Sequence, residues 1–422
     1  MDIKRLHGTM DLLPEAAARW TEFERRIRKV MLQFGFGEIR VPIMEPTELF
    51  AKGTGESTDI VQKEMYTFED RGGRSITLRP EGTPSVVRAF LEHSLGAQRP
   101  SWKLYYIGPM FRAERPQQGR YRQFHQFGAE FLGTDAPHAD VELIALAYAT
   151  LTELGLREMR LLINSIGSPD ARRAHDVELR KYLRDDTNWK RLCADCHRRT
   201  ESNPLRVFDC KVEQCIDVVA GAPTIDGFLT DDDRAHFHDV QTGLKSIGLP
   251  YEVDVRMVRG LDYYTRTTFE IKAEGIGSQD SLCGGGRYDL LVETLDGPPT
   301  PAVGFASGIE RILSTLEANG IELAEPPMLD VFVCALGAAA IERLPQILNR
   351  LRALGFTADG DFLGRGLKAQ MKDANRRNAR VAILIGDNEI ERGQYTLRRM
   401  DDSQQTEIPA DTDQWTAETF RT

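Results

Sequence analysis

A pair of predicted strands joined by a long polar loop constrains the fold more than any other stretch of this chain. Residues 104–107 are aromatic and β-branched and stop at Gly108-Pro109, and residues 121–131 alternate between apolar and polar side chains. Such alternation places every second side chain on one face of a strand, so Gln126 and Glu130 share a face. This stretch therefore predicts a hairpin whose second strand presents polar side chains.

The same stretch is unusually rich in arginine. Four arginines fall within eleven residues, at Arg112, Arg115, Arg120 and Arg122. A guanidinium is a planar fork of donors that suits phosphate. A solvated charged turn explains the same density of charge and is the more common reason for it. Charge alone therefore leaves phosphate binding open.

Composition sets limits on the class of protein. The chain has 422 residues, enough for two or three domains, and 41% of them are hydrophobic. No apolar run follows Met1 and no stretch approaches the roughly 20 apolar residues of a membrane span, so we expect a cytosolic protein without a secretory signal. Six cysteines in this length do not indicate a disulfide scaffold. A net charge of −10 argues against a general nucleic-acid coat but allows a local basic face.

The first fifty residues predict a helix followed by a strand. Proline suits the first helical turn, and apolar residues recur at helical spacing from Pro14 to Phe34. Residues 38–44 alternate like a strand, which we expect to continue to Phe50. The glycine-rich residues 52–59 predict a loop.

A second hairpin and a helix are predicted next, over residues 65–68, 75–78 and 84–91. Glu81 and Thr83 come directly before this helix. A carboxylate and a hydroxyl at these positions could bind an ammonium group, or could cap the helix and complement its dipole. Spacing alone favours the cap.

Between about residues 168 and 250, charged residues and helix formers predominate, which predicts a helical insertion. It contains Cys193-x2-Cys196 and Cys210-x4-Cys215. Two near pairs of thiols could form a tetrahedral zinc site, although the second pair is wider than the usual knuckle. Free thiols are the alternative in a reducing cytosol, and we favour them over zinc.

Three later motifs are ambiguous when taken alone. Arg259-Gly260-Leu261-Asp262-Tyr263-Tyr264 is explained by a tight turn with aromatic packing. Cys283-Gly284-Gly285-Gly286-Arg287-Tyr288-Asp289 lets a ligand approach the backbone, but lacks the spacing of a phosphate-binding or dinucleotide loop. Residues 302–312 predict a strand that breaks at glycine and a helix that presents Arg311 about one turn in, either toward phosphate or at the surface.

After Glu325-Pro326-Pro327, the chain predicts a separate α/β domain. Strands over 330–336, 380–385 and 394–400 alternate with helices over 338–354 and 366–378. Residues 331–422 carry thirteen basic and thirteen acidic side chains, so this part is neutral. A basic helical face, formed by Arg365, Lys368, Lys372 and Arg376, fits either local RNA contact or a solvated surface.

These motifs together resemble a known family. Residues 111–126, Phe-Arg-x-Glu-Arg-Pro-Gln-x-Gly-Arg-x-Arg-Gln-Phe-His-Gln, resemble the second signature motif of class II aminoacyl-tRNA synthetases. The helix and strand of residues 14–50 resemble the first motif, which forms the dimer interface in that class, and residues 302–312 resemble the third. Residues 259–264 and 283–289 are similar to signatures of the histidyl-tRNA synthetases. The resemblance covers essentially the whole chain, with the motifs in the family's order.

The resemblance implies an α+β fold in two domains. Residues 1–325 would form a class II catalytic domain, an antiparallel sheet flanked by helices with the insertion at about 168–250, and residues 326–422 an α/β anticodon-binding domain. The implied activity is ligation of L-histidine to tRNA(His): ATP first gives histidyl-adenylate, and the acyl group then passes to the tRNA 3′ end. Mg²⁺ would accompany ATP. A cytoplasmic homodimer is implied.

The resemblance also assigns roles to residues by motif. Glu81, Thr83 and Gln126 would hold the α-amino group of histidine. Glu130 and Tyr264 would read its imidazole. The complete histidine set is Glu81, Thr83, Arg112, Gln126, Glu130, Arg259, Tyr263, Tyr264 and Tyr288; the ATP set is Arg112, Glu114, Arg120 and Arg311; the catalytic set is Arg259, Arg112 and Arg311; the tRNA set is Arg115 and Gln117. The motifs assign no metal ligand.

Two other functions remain to be weighed. One is the non-catalytic histidine-sensing subunit of ATP phosphoribosyltransferase, which shares the fold but typically lacks the 259–264 motif and the C-terminal domain. The other is an RNA-binding sensor with an inactive catalytic domain. The presence of Arg112, Glu130, Arg259 and Arg311 argues against the second. Histidine-dependent exchange between ATP and pyrophosphate would separate all three functions.

Overall fold

The computed structural model describes residues 3–56, 58–116, 119–273, 281–323 and 328–420. The chain divides into two compact units, one made of residues 1–11 and 23–322, the other of residues 12–22 and 323–422. In the part described, no helix is both long enough and apolar enough to span a membrane.

The part of the chain before residue 323 contains both helices and strands, with helices following one another over residues 169–246. The helices are α1 (Pro14–Gln33), α2 (Thr47–Thr54), α3 (Thr83–Glu92), α4 (Leu95–Gln98), α5 (Pro137–Glu153), α6 (Pro169–Leu183), α7 (Asp186–Trp189), α8 (Ala194–Ser202), α9 (Glu213–Ala220), α10 (Asp231–Ser246), α11 (Leu291–Thr294) and α12 (Ile309–Ala318). The strands are β1 (Gly37–Glu38), β2 (Met44–Pro46), β3 (Tyr66–Glu69), β4 (Ser75–Leu78), β5 (Trp102–Phe111), β6 (Gln123–Leu132), β7 (Met159–Ser165), β8 (Glu252–Val253), β9 (Thr265–Ala273), β10 (Ser281–Arg287) and β11 (Ala302–Gly308).

A large sheet organises this unit. Among the described residues it has eight strands in the order β1-β5-β6-β11-β10-β9-β7-β8. Neighbouring strands are antiparallel except at the two edges, where β1 runs parallel to β5 and β8 runs parallel to β7. The predicted hairpin is its β5–β6 pair, in register from Trp102 opposite Leu132 to Phe111 opposite Gln123. The predicted end of its first strand at Gly108-Pro109 is wrong, because β5 continues in register through both residues. Helices α5 and α12 pack on the sheet, so the predicted antiparallel sheet flanked by helices is confirmed.

Local sequence signals explain where several helices begin. Proline occupies the first turn at Pro14, Pro137 and Pro169. Helix α10 begins with a capping box: the Thr230 hydroxyl accepts from the Asp233 N–H, and the Asp233 carboxylate accepts from the Thr230 N–H, both at 3.2 Å.

The predicted strand over 38–44 is wrong except at its ends. Between β1 and β2 the backbone leaves the ladder, because Pro42 has no N–H to donate. The carbonyls of Val41 and Pro42 instead accept from the Arg79 guanidinium, at 2.9 and 3.4 Å. A side chain that follows β4, 37 residues further along the chain, therefore replaces strand pairing here.

The predicted continuation of that strand to Phe50 is also wrong, since residues 47–54 form helix α2 and shorten the predicted loop. Leu49 and Phe50 are buried with Gly53 and Thr54 one turn later. Glu48 and Lys52 form a salt bridge of 2.8 Å on the outer face. Burial at helical spacing thus decides the local structure.

The insertion has a small core of its own. It is formed by side chains from α6, α8, α9 and the 3-10 segment Pro204–Asp209. Its buried members are Leu179, Leu183, Leu192, Cys196, Val207, Cys210, Cys215, Val218, Val219 and Ala222. Helix α10 packs along α5.

The second unit confirms the predicted α/β architecture. Its elements are β12 (Val331–Ala335), α13 (Ala338–Ala353), β13 (Ala358–Gly360), α14 (Leu367–Arg376), β14 (Val381–Ile385), α15 (Asp387–Arg392), β15 (Gln394–Arg399) and β16 (Gln405–Pro409). They form a sheet in the order β13-β12-β14-β15-β16, with the first three strands parallel and the others antiparallel.

The basic face of this unit is smaller than predicted. Lys368, Lys372 and Arg376 are exposed along α14. Arg365 lies before the helix and pairs with Asp361 at 2.5 Å and with Asp373 at 2.8 Å. Its charge is therefore neutralised locally.

Candidate active site

A cavity of about 380 Å³ opens on the central strands of the large sheet. Strand β6, the β5–β6 loop, residues 259–264 and the start of α12 contribute to its wall. Most side chains singled out from the sequence line it: Glu81, Thr83, Arg112, Glu114, Arg120, Gln126, Arg259, Tyr263, Tyr264, Tyr288 and Arg311.

The remaining predicted residues are placed differently. Glu130 is fully buried and contacts two lining residues, Thr83 and Tyr288. Arg115 is exposed on the loop after β5 and does not line the cavity. Gln117 lies outside the described residues.

Glu81 is a buried carboxylate held by two hydroxyl groups. Thr54 Oγ1 donates to one carboxylate oxygen at 2.7 Å, and the Tyr263 hydroxyl donates to the other at 2.9 Å. Burial raises the pKa of Glu81 above its usual value. A cationic donor entering the cavity would therefore stabilise its charged form.

Glu130 is also a buried carboxylate held by two hydroxyl groups, and it lies behind the residues that line the cavity. Thr83 Oγ1 donates to one oxygen at 2.7 Å and the Tyr288 hydroxyl to the other at 2.6 Å. Burial, with a smaller contribution from the nearby Glu81, raises the pKa of Glu130 to about 8 despite these bonds.

The capping interpretation of Glu81 and Thr83 is wrong. Thr83 is the first residue of α3, Gly82 occupies the cap position, and no side chain caps the helix there. Both polar groups instead face the network of Glu130, Tyr263 and Tyr288 described above. The reason is tertiary: the hydroxyl partners come from residues far away in the chain.

Aromatic rings and an amide complete this part of the cavity. The rings of Tyr263 and Tyr264 lie 4.8 Å apart, and those of Tyr263 and Tyr288 lie 5.7 Å apart. Burial raises the pKa of Tyr264 to about 12, so its hydroxyl stays protonated. Gln126 Oε1 is buried and has no hydrogen-bond partner within the described part of the chain. It is an acceptor available to a ligand.

Three arginines line another part of the same cavity. Arg112 Nε donates to the Pro80 carbonyl at 3.0 Å, and its guanidinium lies 5.2 Å from the centre of the Phe124 ring. Arg311 stands in the first turn of α12, and its Nη1 donates to the Ser281 carbonyl at 2.8 Å. Burial, together with the charge of Arg120, lowers the pKa of Arg311. An anion here would relieve that repulsion.

Arg259 forms an ion pair with a carboxylate, and its guanidinium lies against the backbone of a glycine. Its Nη1 lies 3.0 Å from Glu270 Oε1. Burial lowers the pKa of Arg259, but Glu270 together with Tyr264, Asp209 and Cys283 outweighs this effect and raises the pKa overall, so the group remains charged. A Cβ on Gly284 would fall on the Arg259 guanidinium. This arginine therefore needs glycine beneath it.

The neighbouring glycines are equally confined. A Cβ on Gly285 would lie 2.6 Å from Phe305 Cβ, and a Cβ on Gly286 would lie 3.0 Å from Tyr264 Cδ1. A Cβ on Gly304, which pairs with Glu130 across the strands, would fall on the Glu130 carboxylate. Backbone, and not side chain, forms this wall of the site.

Sequence reasoning missed several residues of the site. Phe124 lies on the same face of β6 as Gln126 and Glu130, so the alternation could have marked it. Glu310 accepts from the His125 N–H at 2.9 Å and lines the cavity. Thr54, which holds Glu81, carried no signal in the sequence.

The geometry therefore joins two chemistries in one cavity. Buried carboxylates, hydroxyls and a free amide oxygen suit a small molecule with several N–H donors. Guanidinium groups suit phosphate. A reaction between such a molecule and a phosphate ester could take place there without a protein nucleophile.

Comparison with known proteins identifies the chain's relatives. Residues 8–171 and 229–312 match the family model described as histidyl-tRNA synthetase, and residues 330–412 match that of an anticodon binding domain. A histidine–tRNA ligase of Halothermothrix orenii is 49% identical over 408 residues, 97% of this chain and 97% of the relative. One of Moorella thermoacetica is 50% identical over 405 residues, covering 96% and 95%.

A solved structure agrees with these sequence matches. The apo histidyl-tRNA synthetase of S. aureus is 38% identical, covers 100% of each chain and has a TM-score of 0.83. The family model matches more than half of the chain, and the relatives extend over nearly all of it. This chain therefore belongs to the histidyl-tRNA synthetase family.

Proposed function

We propose that this chain ligates L-histidine to tRNA(His) in two steps, through histidyl-adenylate formed from ATP. Charging of tRNA with histidine follows from family membership and from full-length relatives named histidine–tRNA ligases. The observation that carries the two-step scheme is one cavity that joins buried carboxylates to Arg112, Arg120, Arg259 and Arg311.

Histidine would bind at the carboxylate side of this cavity. Its α-ammonium group has three donors, which match Glu81, the free Gln126 Oε1 and the Thr83 hydroxyl. Its imidazole nitrogens would meet Glu130 and Tyr264, with Tyr263 and Tyr288 as the aromatic wall. Donors from the ligand would lower the raised pKa values of both carboxylates, so binding and ionisation support each other.

ATP would bind at the arginine side, where Arg112, Arg120 and Arg311 would contact its phosphates and Glu114 would complete the ATP site. The histidine carboxylate attacks the α-phosphorus, a new C–O–P linkage forms, and the bond to the β-phosphate breaks to release pyrophosphate. Arg259 would stabilise the charge that builds on the α-phosphate oxygens. Catalysis is thus positioning and preorganised charge.

Mg²⁺ would accompany ATP. It prefers oxygen ligands and usually binds one or two carboxylates together with substrate phosphates. Glu114 and Glu310 line the cavity, so the residues present fit such an ion. When bound, it would neutralise phosphate charge.

The second step transfers the acyl group to the 3′-terminal hydroxyl of the tRNA, which attacks the carbonyl carbon and releases AMP. Arg115 and Gln117, on the β5–β6 loop, would meet the acceptor end. We assign residues 1–325 to catalysis, with the insertion at about 168–250, and residues 326–422 to anticodon binding. A cytoplasmic homodimer, with residues 14–50 at the interface, completes the proposal.

Histidine-dependent exchange between ATP and pyrophosphate tests the proposal. Glu130→Ala should raise the KM for histidine steeply and leave the KM for ATP nearly unchanged, because a site built to hydrogen-bond its ligand discriminates by up to about 10⁴–10⁵. Glu293→Ala, at an exposed carboxylate of α11, is the matched control. Unchanged histidine KM and kcat in Glu130→Ala would remove Glu130 from the histidine site.

A further inference from the structure

The four cysteines of the insertion converge at one point. Their Sγ atoms all lie within 4.8 Å of one another, and Cys193 Sγ is 3.9 Å from Cys210 Sγ. Cys196, Cys210 and Cys215 are buried, Cys193 is half-buried, and all four thiols are free. None of them lines the active-site cavity. The spacing of the two near pairs allowed this convergence, although free thiols were favoured for a reducing cytosol.

We propose that these four sulfurs bind one zinc ion. Tetrahedral zinc with Zn–S bonds of about 2.3 Å places its sulfur ligands about 3.8 Å apart. The Cys193–Cys210 separation of 3.9 Å is close to this value and no pair exceeds 4.8 Å, whereas a disulfide requires about 2.05 Å. The chain has therefore arranged its thiols around a central point.

The backbone around the sulfurs suits thiolate ligands. Cys193 directly precedes α8, Cys196 is the third residue of that helix, and Cys215 is the third residue of α9. Helix starts direct free N–H groups and a positive dipole at these sulfurs. The Cys193 N–H donates to Cys215 Sγ at 3.2 Å. Hydrogen bonds of this kind orient and stabilise metal-bound sulfur.

The position of the site indicates a structural role. The core of the insertion is small, and small cores commonly depend on a metal. The ion would join α8, α9 and the end of the segment Pro204–Asp209. Two arginines from these elements, Arg199 and Arg206, contact Asp59 at 3.4 and 3.2 Å, and Arg206 and Asp59 line the active-site cavity. The zinc would thus anchor one wall of the active site.

Metal analysis of the full-length chain tests the proposal without any substitution. Protein purified without chelator from zinc-supplemented cells should contain about one zinc per chain. Adding Co²⁺ to metal-free protein should give the visible absorption of tetrahedral cobalt thiolate. Protein without zinc and without that absorption would overturn the proposal, and so would iron in place of zinc.

Matched variants assign the metal to these cysteines. Cys210→Ser and Cys215→Ser should lose zinc and become sensitive to protease within residues 172–228. Cys334→Ser is the control, because Cys334 is a buried cysteine of β12 in the other unit, and it should keep the metal. Full zinc content in both insertion variants would refute the site.

Discussion

Replacing Arg259 by histidine should slow adenylate formation far more than acyl transfer. The guanidinium is held between Glu270, at 3.0 Å, and the bare backbone of Gly284. It therefore needs no rearrangement when charge builds on the α-phosphate. Histidine is shorter and mostly uncharged near neutral pH, so it would supply neither the reach nor the charge.

The expected loss in kcat can be distinguished from the expected loss in folding stability. Loss of one preorganised donor typically lowers kcat by about 10²–10³, which corresponds to about 2.7–4 kcal/mol. Loss of the bond to Glu270 removes a hydrogen bond between charged groups, worth about 1.5–3 kcal/mol. Lys272 remains 3.7 Å from Glu270, which argues for the lower end of that range. The variant should therefore fold, melt only a few degrees lower, and still be slow in the first step.

Single-turnover measurements of each step, well below the melting temperature, decide the matter. Glu270→Gln is the matched control, since it breaks the same ion pair but keeps the guanidinium. Arg259→Lys keeps the charge but loses the planar fork. If Arg259→His slowed both steps equally, or if Glu270→Gln matched it, then Arg259 would only brace the fold and the catalytic argument would fail.

Two further predictions concern the buried carboxylate and the basic helix. The pKa of Glu130 is about 8 in the folded chain, against an ordinary value of 4.5. Its contribution to the free energy of unfolding is therefore complete below pH 4.5 and is lost as the pH rises through about 8. Urea unfolding of the ligand-free chain should show this loss, at most about 1.4 kcal/mol per pH unit, and Glu130→Gln should abolish it. Joint substitution of Lys368 and Lys372 by alanine should raise the KM for tRNA and weaken its salt dependence while ATP–pyrophosphate exchange stays unchanged. Lys245→Ala, at an exposed lysine of α10, is the control, and a parallel loss of exchange would contradict the assignment.

Much of the fold was predictable because its signals are local. Aromatic and β-branched residues identified β5, alternation identified β6, and alternating strands and helices identified the α/β unit after residue 327. The failure at residues 38–50 has a non-local cause. Arg79, which follows β4, satisfies the carbonyls of Val41 and Pro42 from far along the chain, and burial of Leu49 and Phe50 favours a helix. Neither interaction leaves a trace in the local pattern.

The candidate site also has features that local sequence predicts and features that depend on contacts between distant residues. Short sequence motifs identified most of the side chains that line the cavity, but they could not show what each side chain contacts. Thr83 and Glu81 have the spacing of a helix cap, and only the arrival of Tyr288 and Tyr263 from later motifs makes them part of a polar network. The four cysteines show this too, since their spacing allowed either free thiols or a shared site, and only the fold brings the four sulfurs together.

The glycine run of β10 also limits how this enzyme could be remade for unnatural amino acids. Its three glycines are already the smallest residues, so mutagenesis cannot widen the pocket on that side. Larger residues there would collide with Arg259, Phe305 or Tyr264. A library aimed at bulkier histidine analogues should therefore leave residues 284–286 alone and vary the aromatic residues that line the cavity, where Tyr263 and Tyr288 could be shortened.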